Sequence, residues 1–134
     1  MQDKELVCLA VKAAENSYSP YSSYKVGAAL LSKSGRVYLG CNIENAAYGE
    51  TICAERTAFL KAVSEGEREF VKIAVVGSKT DDFSFPAAPC GSCRQVMAEF
   101  CSSDFEIILK DGEEIKKYTL SEILPLSFTN KSIN

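Results

Sequence analysis

Short apolar runs of strand length alternate with segments of helical periodicity along this sequence, and that order is typical of α/β folds. The apolar runs predict five strands, at residues 26–32, 36–41, 71–76, 105–109 and 115–118. Helical spacing predicts a first helix from Asp3, as its N-cap, to near Ser17, and further helices at 53–66, at 90–100 and after a Thr119–Glu122 capping box. We therefore expect a three-layer α-β-α sandwich around a five-stranded mixed sheet, with residues 1–134 as a single domain.

The six cysteines are expected to be thiols or metal ligands. A chain of 134 residues can bury a core without disulfides, and residues 1–5 are charged, unlike the start of a secretory signal. No apolar stretch is long enough to cross a bilayer, so we expect a soluble cytoplasmic protein without membrane association. In a reducing compartment the Cys-x-x-Cys of Cys90 and Cys93 indicates a metal or redox site.

A metal site in this chain has to be built without histidine, since the sequence contains none. Cys53 and Cys90 each follow a loop and open a predicted helix, where free amides and the helix dipole favour the thiolate. Cys93 lies one helical turn after Cys90, so both sulfurs can face one ion. Placed side by side, the two helix starts supply three thiolates and leave the fourth zinc position open, which is typical of a catalytic site.

Two residues beside Cys53 have chemistry that such a site needs. Glu55 competes poorly with thiolates for zinc but is well placed to exchange protons with a water on the metal. Three thiolates leave the centre with an excess negative charge, and Arg56 is expected to offset it by hydrogen bonding to sulfur, more so than Arg94. The remaining cysteines lie in apolar stretches and are predicted to fill the core: Cys8, Cys41 and Cys101.

Taken together, these motifs resemble the homotetrameric type of cytidine deaminase, with its three-cysteine zinc site, over nearly the whole chain. The resemblance is carried, in order, by residues 18–22, 26–30, 40–48, 53–58 and 89–95. It implies zinc-dependent hydrolysis of cytidine and 2′-deoxycytidine to uridine and 2′-deoxyuridine, with release of ammonia, as in pyrimidine salvage. It implies one Zn²⁺ per subunit on Cys53, Cys90 and Cys93, with Glu55 as the proton shuttle.

The same resemblance implies how a small nucleoside is bound. Asn42 and Glu44 would bind the ribose, chiefly its 3′-hydroxyl, and the backbone around Ala54 would hold the pyrimidine. The base would stack on Tyr24, where the family usually has phenylalanine. A homo-oligomer is also implied, most simply a tetramer with shared active sites, in which Tyr48 and Phe128 complete a neighbouring subunit's site.

Other interpretations remain open at this point. A Cys-x-x-Cys also occurs in redox and structural zinc modules, although a closed zinc site needs a fourth ligand. A deaminase of another base or of a nucleoside-like antibiotic shares the zinc motifs. A nucleic-acid partner is disfavoured, because the formal net charge is −3 and no run of lysine or arginine is present.

Overall fold

The computed structural model describes residues 1–133, in which helices and strands follow one another in the predicted order. The elements are α1 (Asp3–Ala14), β1 (Lys25–Ser32), β2 (Val37–Cys41), α2 (Ala54–Ser64), β3 (Phe70–Ser78), α3 (Gly91–Phe100), β4 (Glu106–Asp111), β5 (Glu114–Thr119) and α4 (Leu120–Ile123). Short 3-10 turns lie at Tyr48–Glu50 and Asn130–Ile133. The Thr119–Glu122 capping box is formed at the start of α4.

The strands form one mixed sheet, as predicted, and their order in it is β2-β1-β3-β4-β5. β1 is antiparallel to both β2 and β3, β3 is parallel to β4, and β4 is antiparallel to β5. β2 and β3 therefore run in the same direction, since each opposes β1. The helices that follow them, α2 and α3, must consequently begin at the same edge of the sheet.

Alternating residues of the central strands contribute to two separate hydrophobic cores, one on each face of the sheet. On one face, strand residues such as Ala29, Ala74 and Ile108 pack against the buried side of α1. On the other face, neighbours such as Ala28, Ile73 and Ile107 pack with residues of α2 and α3. This period-two alternation gives the predicted α-β-α layering.

Glycines allow α1 and α2 to lie directly on the sheet. A β-carbon on Gly27 would lie 2.0 Å from the Ala10 carbonyl oxygen of α1. On Gly40 it would lie 2.4 Å from the Ala54 carbonyl oxygen, at the first residue of α2. The start of α2 is thereby seated on the end of β2, and its position is set by backbone contact.

The boundaries of α1 differ from the prediction. The N-cap residue is Gln2, Asp3 is already helical, and the helix ends at Ala14, three residues before Ser17. The Asp3 carboxylate does not cap the helix because it pairs with Lys72, 2.6 Å away and only 9% exposed. A nearly buried ammonium needs a counter-charge, and that need outweighs the local preference for capping.

The cysteines outside the predicted metal site are not equivalent. Cys8 is exposed on α1, so the expectation that it fills the core is wrong. Cys41 and Cys101 are half-buried, and burial raises the pKa of the Cys101 thiol to about 12, which keeps it neutral. Within residues 1–133, no helix combines the length and apolar character needed to span a bilayer.

Candidate active site

Three thiols converge at the sheet edge where α2 and α3 begin. Cys53 is the N-cap residue of α2, Cys90 is the N-cap residue of α3, and Cys93 lies in the first turn of α3. The Cys53 and Cys90 sulfurs are 3.8 Å apart, and those of Cys90 and Cys93 are 3.6 Å apart. All three sulfurs lie within 4.8 Å of one another, as the two helix starts predict.

This spacing fits a single zinc ion. Four ligands at tetrahedral angles with Zn–S bonds of about 2.3 Å place sulfurs roughly 3.8 Å apart. Among the residues that the structure describes, no fourth histidine, cysteine, aspartate or glutamate joins the cluster. The donor set is therefore that of an open zinc site with room for one further ligand, and the alternative of a structural centre closed by four thiolates lacks its fourth sulfur.

The thiols differ in their affinity for protons. Hydrogen bonding from the Cys93 thiol, assisted by Arg56, lowers the pKa of the Cys53 thiol to about 5. The pKa of the Cys93 thiol is raised, because it shares its proton with Cys53 and is buried. In the metal-free protein Cys53 therefore carries the charge while Cys93 keeps its proton, and metal binding must displace that proton.

The two arginines near the cluster have different partners. Arg56 Nη2 lies 3.8 Å from the Cys53 sulfur and 3.3 Å from the Thr51 carbonyl oxygen, to both of which it donates. Its Nε is buried without a hydrogen-bond partner in residues 1–133. Arg94 donates instead to the carbonyl oxygens of Pro89 and Ile123, at 2.8 and 2.6 Å. Arg56 thus meets the sulfur, whereas Arg94 braces the loop before Cys90 against the end of α4.

Glu55 is held inside the protein next to the thiols. It is only 4% exposed, and burial raises the pKa of its carboxyl to about 7, with the charge on Cys53 acting in the same direction. A carboxyl with a pKa of about 7 both accepts and releases a proton near neutral pH. Its position two residues after Cys53, in the first turn of α2, keeps it beside the cluster.

Backbone hydrogen bonds connect the loop at residues 42–44 to the segment that directly precedes Cys53. Ile43 and Ile52 exchange bonds of 2.9 and 3.0 Å between their amides and carbonyls. On its other side the loop pairs with Tyr18, which donates to the Asn42 carbonyl and accepts from the Glu44 amide. Asn42 and Glu44 are consequently fixed one short segment away from Cys53.

The Asn42 side chain is buried and forms hydrogen bonds with the segments on either side of its loop. Its Oδ1 accepts from the Val26 amide at 2.9 Å and from the Ser17 hydroxyl. Its Nδ2 donates to the Tyr24 carbonyl oxygen at 2.8 Å. Within residues 1–133, the second N–H of this amide group has no acceptor.

The Glu44 carboxylate lies at an open cavity of about 300 Å³ lined by Tyr21, Ser22, Glu44, Tyr48 and Thr51. It accepts from the backbone amides of Tyr21 and Ser22, at 3.0 and 3.1 Å, and from the Ser22 hydroxyl. The hydrogen bond from the Ser22 hydroxyl lowers the pKa of Glu44, so the group is ionised at neutral pH. Tyr48 packs edge to face against Tyr21 with ring centroids 5.7 Å apart and is 74% exposed.

Tyr24 is half-buried and faces the same region. Burial, and then the negative charge of Glu55, raise the pKa of its hydroxyl. The hydroxyl makes no hydrogen bond within residues 1–133 and lies over Gly77, near the end of β3. The ring is therefore an electrostatic neighbour of Glu55, at the edge where the thiols converge.

The remaining predicted residues are placed as follows. Ala54 is fully buried as the first residue of α2. Phe128 is 62% exposed, and its carbonyl accepts from Gln95 Nε2 of α3 at 2.8 Å. The exposed Phe128 and Tyr48 rings leave apolar surface uncovered on this chain.

Several residues that build the site carry no signal that would single them out in the sequence. Ser17 and Ser22 hold the side chains of Asn42 and Glu44, and the Thr51 carbonyl holds Arg56. Gly77 makes room for Tyr24. The serine-rich 17–23 stretch is a weak indication for the first two, but backbone groups and missing side chains become functional only through the fold.

Residues 1–109 match a family described as the cytidine and deoxycytidylate deaminase zinc-binding region. A cytidine deaminase of Halalkalibacterium halodurans is 50% identical over 135 residues, covering 100% of this chain and 99% of the relative. A cytidine deaminase of Sporosarcina psychrophila is 46% identical, covering 100% and 96%. The crystal structure of cytidine deaminase from Burkholderia pseudomallei superposes with a TM-score of 0.87 at 44% identity, covering 96% of this chain and 100% of the other.

Proposed function

Since this chain belongs to the family of cytidine and deoxycytidylate deaminases and is a zinc-dependent hydrolase that deaminates cytidine, we propose that its three clustered thiolates hold the ion and that Glu55 transfers the protons. The reaction consumes water at C4 of the base and releases ammonia. The observation that carries the assignment is the buried Glu55 beside three sulfurs with zinc spacing.

Cys53, Cys90 and Cys93 would hold the zinc ion, which would supply the Lewis acidity that lowers the pKa of a water molecule. The Arg56 guanidinium donates to Cys53 and withdraws part of the negative charge of the three thiolates, which otherwise weakens that acidity.

Glu55 performs the proton transfers. It accepts a proton from the attacking water and delivers it to N3 of the pyrimidine. It then takes the remaining proton from the new C4 hydroxyl and delivers it to the exocyclic nitrogen, so that the C4–N bond breaks, ammonia leaves and the C4 carbonyl forms. A pKa of about 7 suits these steps, because the carboxyl is driven neither fully to the acid nor fully to the base form at neutral pH.

Asn42 and Glu44 bind the sugar in this proposal. Glu44 is ionised and accepts from a ribose hydroxyl, and the free N–H of Asn42 donates to one. A contact to the 3′-hydroxyl is common to ribose and deoxyribose. We therefore extend the substrates from cytidine to 2′-deoxycytidine, consistent with a role in pyrimidine salvage.

Tyr24 and Ala54 bind the base. The Tyr24 ring offers an aromatic face beside Glu55, and the Ala54 amide is one of the first N–H groups of α2, which have no partner inside the helix. Such an amide is suited to a pyrimidine carbonyl oxygen. This arrangement orients C4 towards the zinc position.

Residues 1–134 act as one catalytic domain in a homotetramer with shared active sites. The exposed Tyr48 and Phe128 rings support this, because each is suited to cover a neighbour's open cavity. The test is light scattering on the purified protein, followed by mixing of inactive Glu55→Gln and Tyr48→Ala variants. Activity regained on mixing supports shared sites, whereas a fully active monomer would rule them out.

The six free cysteines support a reducing, cytoplasmic location.

The proposed reaction is tested by ammonia release from zinc-loaded protein. Cytidine, deoxycytidine, adenosine, CMP and a short cytosine-containing single strand are compared, with the Glu55→Gln variant as the matched control. Ammonia from the two cytosine nucleosides alone, absent with the variant, supports both the chemistry and the free-nucleoside preference. Equal ammonia from wild type and variant would remove Glu55 from the mechanism.

A further inference from the structure

The backbone of Tyr24 is fixed on both sides by residues of the sugar site. Its N–H donates to the Ser22 hydroxyl oxygen at 3.0 Å, and its carbonyl accepts from Asn42 Nδ2 at 2.8 Å. Ser22 is itself held by Glu44, and Ser23 has a left-handed φ of 58°. The residue therefore cannot shift its backbone without breaking contacts that organise the 42–44 loop.

The far end of the Tyr24 ring occupies space that a side chain on Gly77 would fill. A β-carbon on Gly77 would lie 2.5 Å from Tyr24 Oη, 2.8 Å from Cζ and 3.1 Å from the Ala87 β-carbon. Gly77 does not have a left-handed φ, so its backbone alone does not require glycine. What the position requires is space, and the phenol of Tyr24 occupies that space.

Gly77 lies at the end of β3 that leads to the cysteine edge of the sheet. It pairs with Val26 of β1, whose amide donates to Asn42 Oδ1. The Tyr24 ring therefore lies between the Asn42 loop and β3, with Glu55 as its electrostatic neighbour. A displacement of the ring at Gly77 has to occur by rotation of the side chain, because the backbone is held.

We infer that Gly77 is a positioning residue for Tyr24: because Gly77 has no side chain, the phenol ring can lie at the angle at which it meets the substrate base. This inference rests on the proposed function, in which Tyr24 contacts the pyrimidine. It makes Tyr24 and Gly77 a coupled pair, so that the effect of a change at one depends on the residue at the other.

The test is a double-mutant cycle on the zinc-loaded enzyme with Gly77→Ala, Tyr24→Phe and the combination. Gly77→Ala is expected to raise KM for cytidine about tenfold with a smaller change in kcat, because the displaced ring contacts the base less well; a tenfold change lies within the coupling energies found for residues in contact. Tyr24→Phe keeps the ring, and its own KM and kcat are the reference with which the double variant is compared. In the Tyr24→Phe background the Gly77→Ala change is expected to raise KM less than it does in the parent, because the atom 2.5 Å from the new methyl is gone and only Cζ, at 2.8 Å, still lies against it.

A second double variant, Gly77→Ala with Ala87→Gly, distinguishes an effect on the position of the Tyr24 ring from a general loss of stability. Ala87→Gly in the Gly77→Ala background relieves the 3.1 Å contact but leaves the clash with the phenol, so it is expected to leave KM raised. Equal KM for Gly77→Ala and parent, or equal rescue by Ala87→Gly and Tyr24→Phe, would overturn the inference. Should Gly77→Ala alone fail to fold, the Tm of the double variant decides, since removal of the hydroxyl, the closest of the clashing atoms, must restore part of the lost stability. An inactive parent enzyme would instead count against the proposed function.

Discussion

The Cys53 and Cys90 sulfurs lie 3.8 Å apart although 37 positions separate them in the chain. β2 and β3 run in the same direction because each is antiparallel to β1, so the helices that follow them start at one edge. Each helix begins with a cysteine as its N-cap residue. The convergence of the thiols is thus a property of the sheet topology.

Loss of one thiol should abolish zinc binding. Cys90→Ser leaves two sulfurs, and we expect less than roughly a tenth of the parent zinc content after dialysis, measured by elemental mass spectrometry. Cys8→Ser is the matched control, since Cys8 is also an exposed cysteine but lies outside the cluster. It should keep full zinc content and activity. Parent-level zinc in the Cys90 variant would require another ligand set.

Glu55→Gln should separate chemistry from metal binding. The amide keeps the shape of the carboxyl but cannot carry the proton, so kcat should fall at least about a hundredfold while zinc content is unchanged. Thermal stability should be equal or higher, because a buried group that ionises near pH 7 is replaced by a neutral one. Turnover and zinc are measured on the same preparation. Near-parental turnover with zinc present would contradict the assigned role.

Gly40→Ala should dislodge the start of α2. The new β-carbon would lie 2.4 Å from the Ala54 carbonyl oxygen and 2.6 Å from the Ala58 amide, and backbone atoms cannot rotate away. We expect a Tm lower by roughly 5 °C or more, since overpacking of this kind costs about 1–3 kcal/mol. Gly49→Ala adds the same methyl where nothing lies within 4 Å and should leave Tm unchanged. Equal Tm values would mean that α2 is free to move off the sheet.

Asp3→Asn should give a pH-dependent loss of stability. Burial opposes ionisation of Asp3, but hydrogen bonds and charges from Lys72 and Lys117 outweigh it and hold the pKa of the carboxyl below its ordinary value of 3.8. A lowered folded-state pKa stabilises the protein above pH 3.8, and this contribution is lost as the pH falls through the folded-state pKa. The Asp3→Asn variant should therefore lose about 2 kcal/mol at pH 7, because Lys72 is left without its partner.

The difference between Asp3→Asn and parent should shrink as the pH is lowered below 3.8, measured by denaturant unfolding across pH. Asp81→Asn is the control. It removes a comparable 2.7 Å ion pair with Lys25, but the Asp81 side chain is 91% exposed, so its loss should leave the free energy of unfolding close to that of the parent. A difference for Asp3→Asn that is constant from pH 7 to pH 3 would show that the pair is not electrostatic in origin.

Much of the site was predictable because its chemistry lies in local motifs. A cysteine before a predicted helix is a local signal, and a Cys-x-x-Cys at a helix start brings its two sulfurs together without help from the rest of the chain. The absence of histidine limited the choice of ligands further. Element order and the mixed sheet followed from alternating periodicities. The boundary error at the start of α1, where Gln2 and not Asp3 is the N-cap residue, arose because a tertiary contact of Asp3 outweighed a local preference.

The sequence by itself determined the element order, the ligand types and the family, because propensity, periodicity and motif chemistry act over a few neighbouring residues. Only the tertiary structure decided that Asp3 forms an ion pair with Lys72 and that Ser22 donates a hydrogen bond to Glu44. It also decided that Glu55 is buried enough for its pKa to lie near neutrality, and that Gly77 leaves room for Tyr24. Each of these depends on the space, burial or charge that a residue distant in the chain provides. Such quantities exist only once the sheet has brought the segments together.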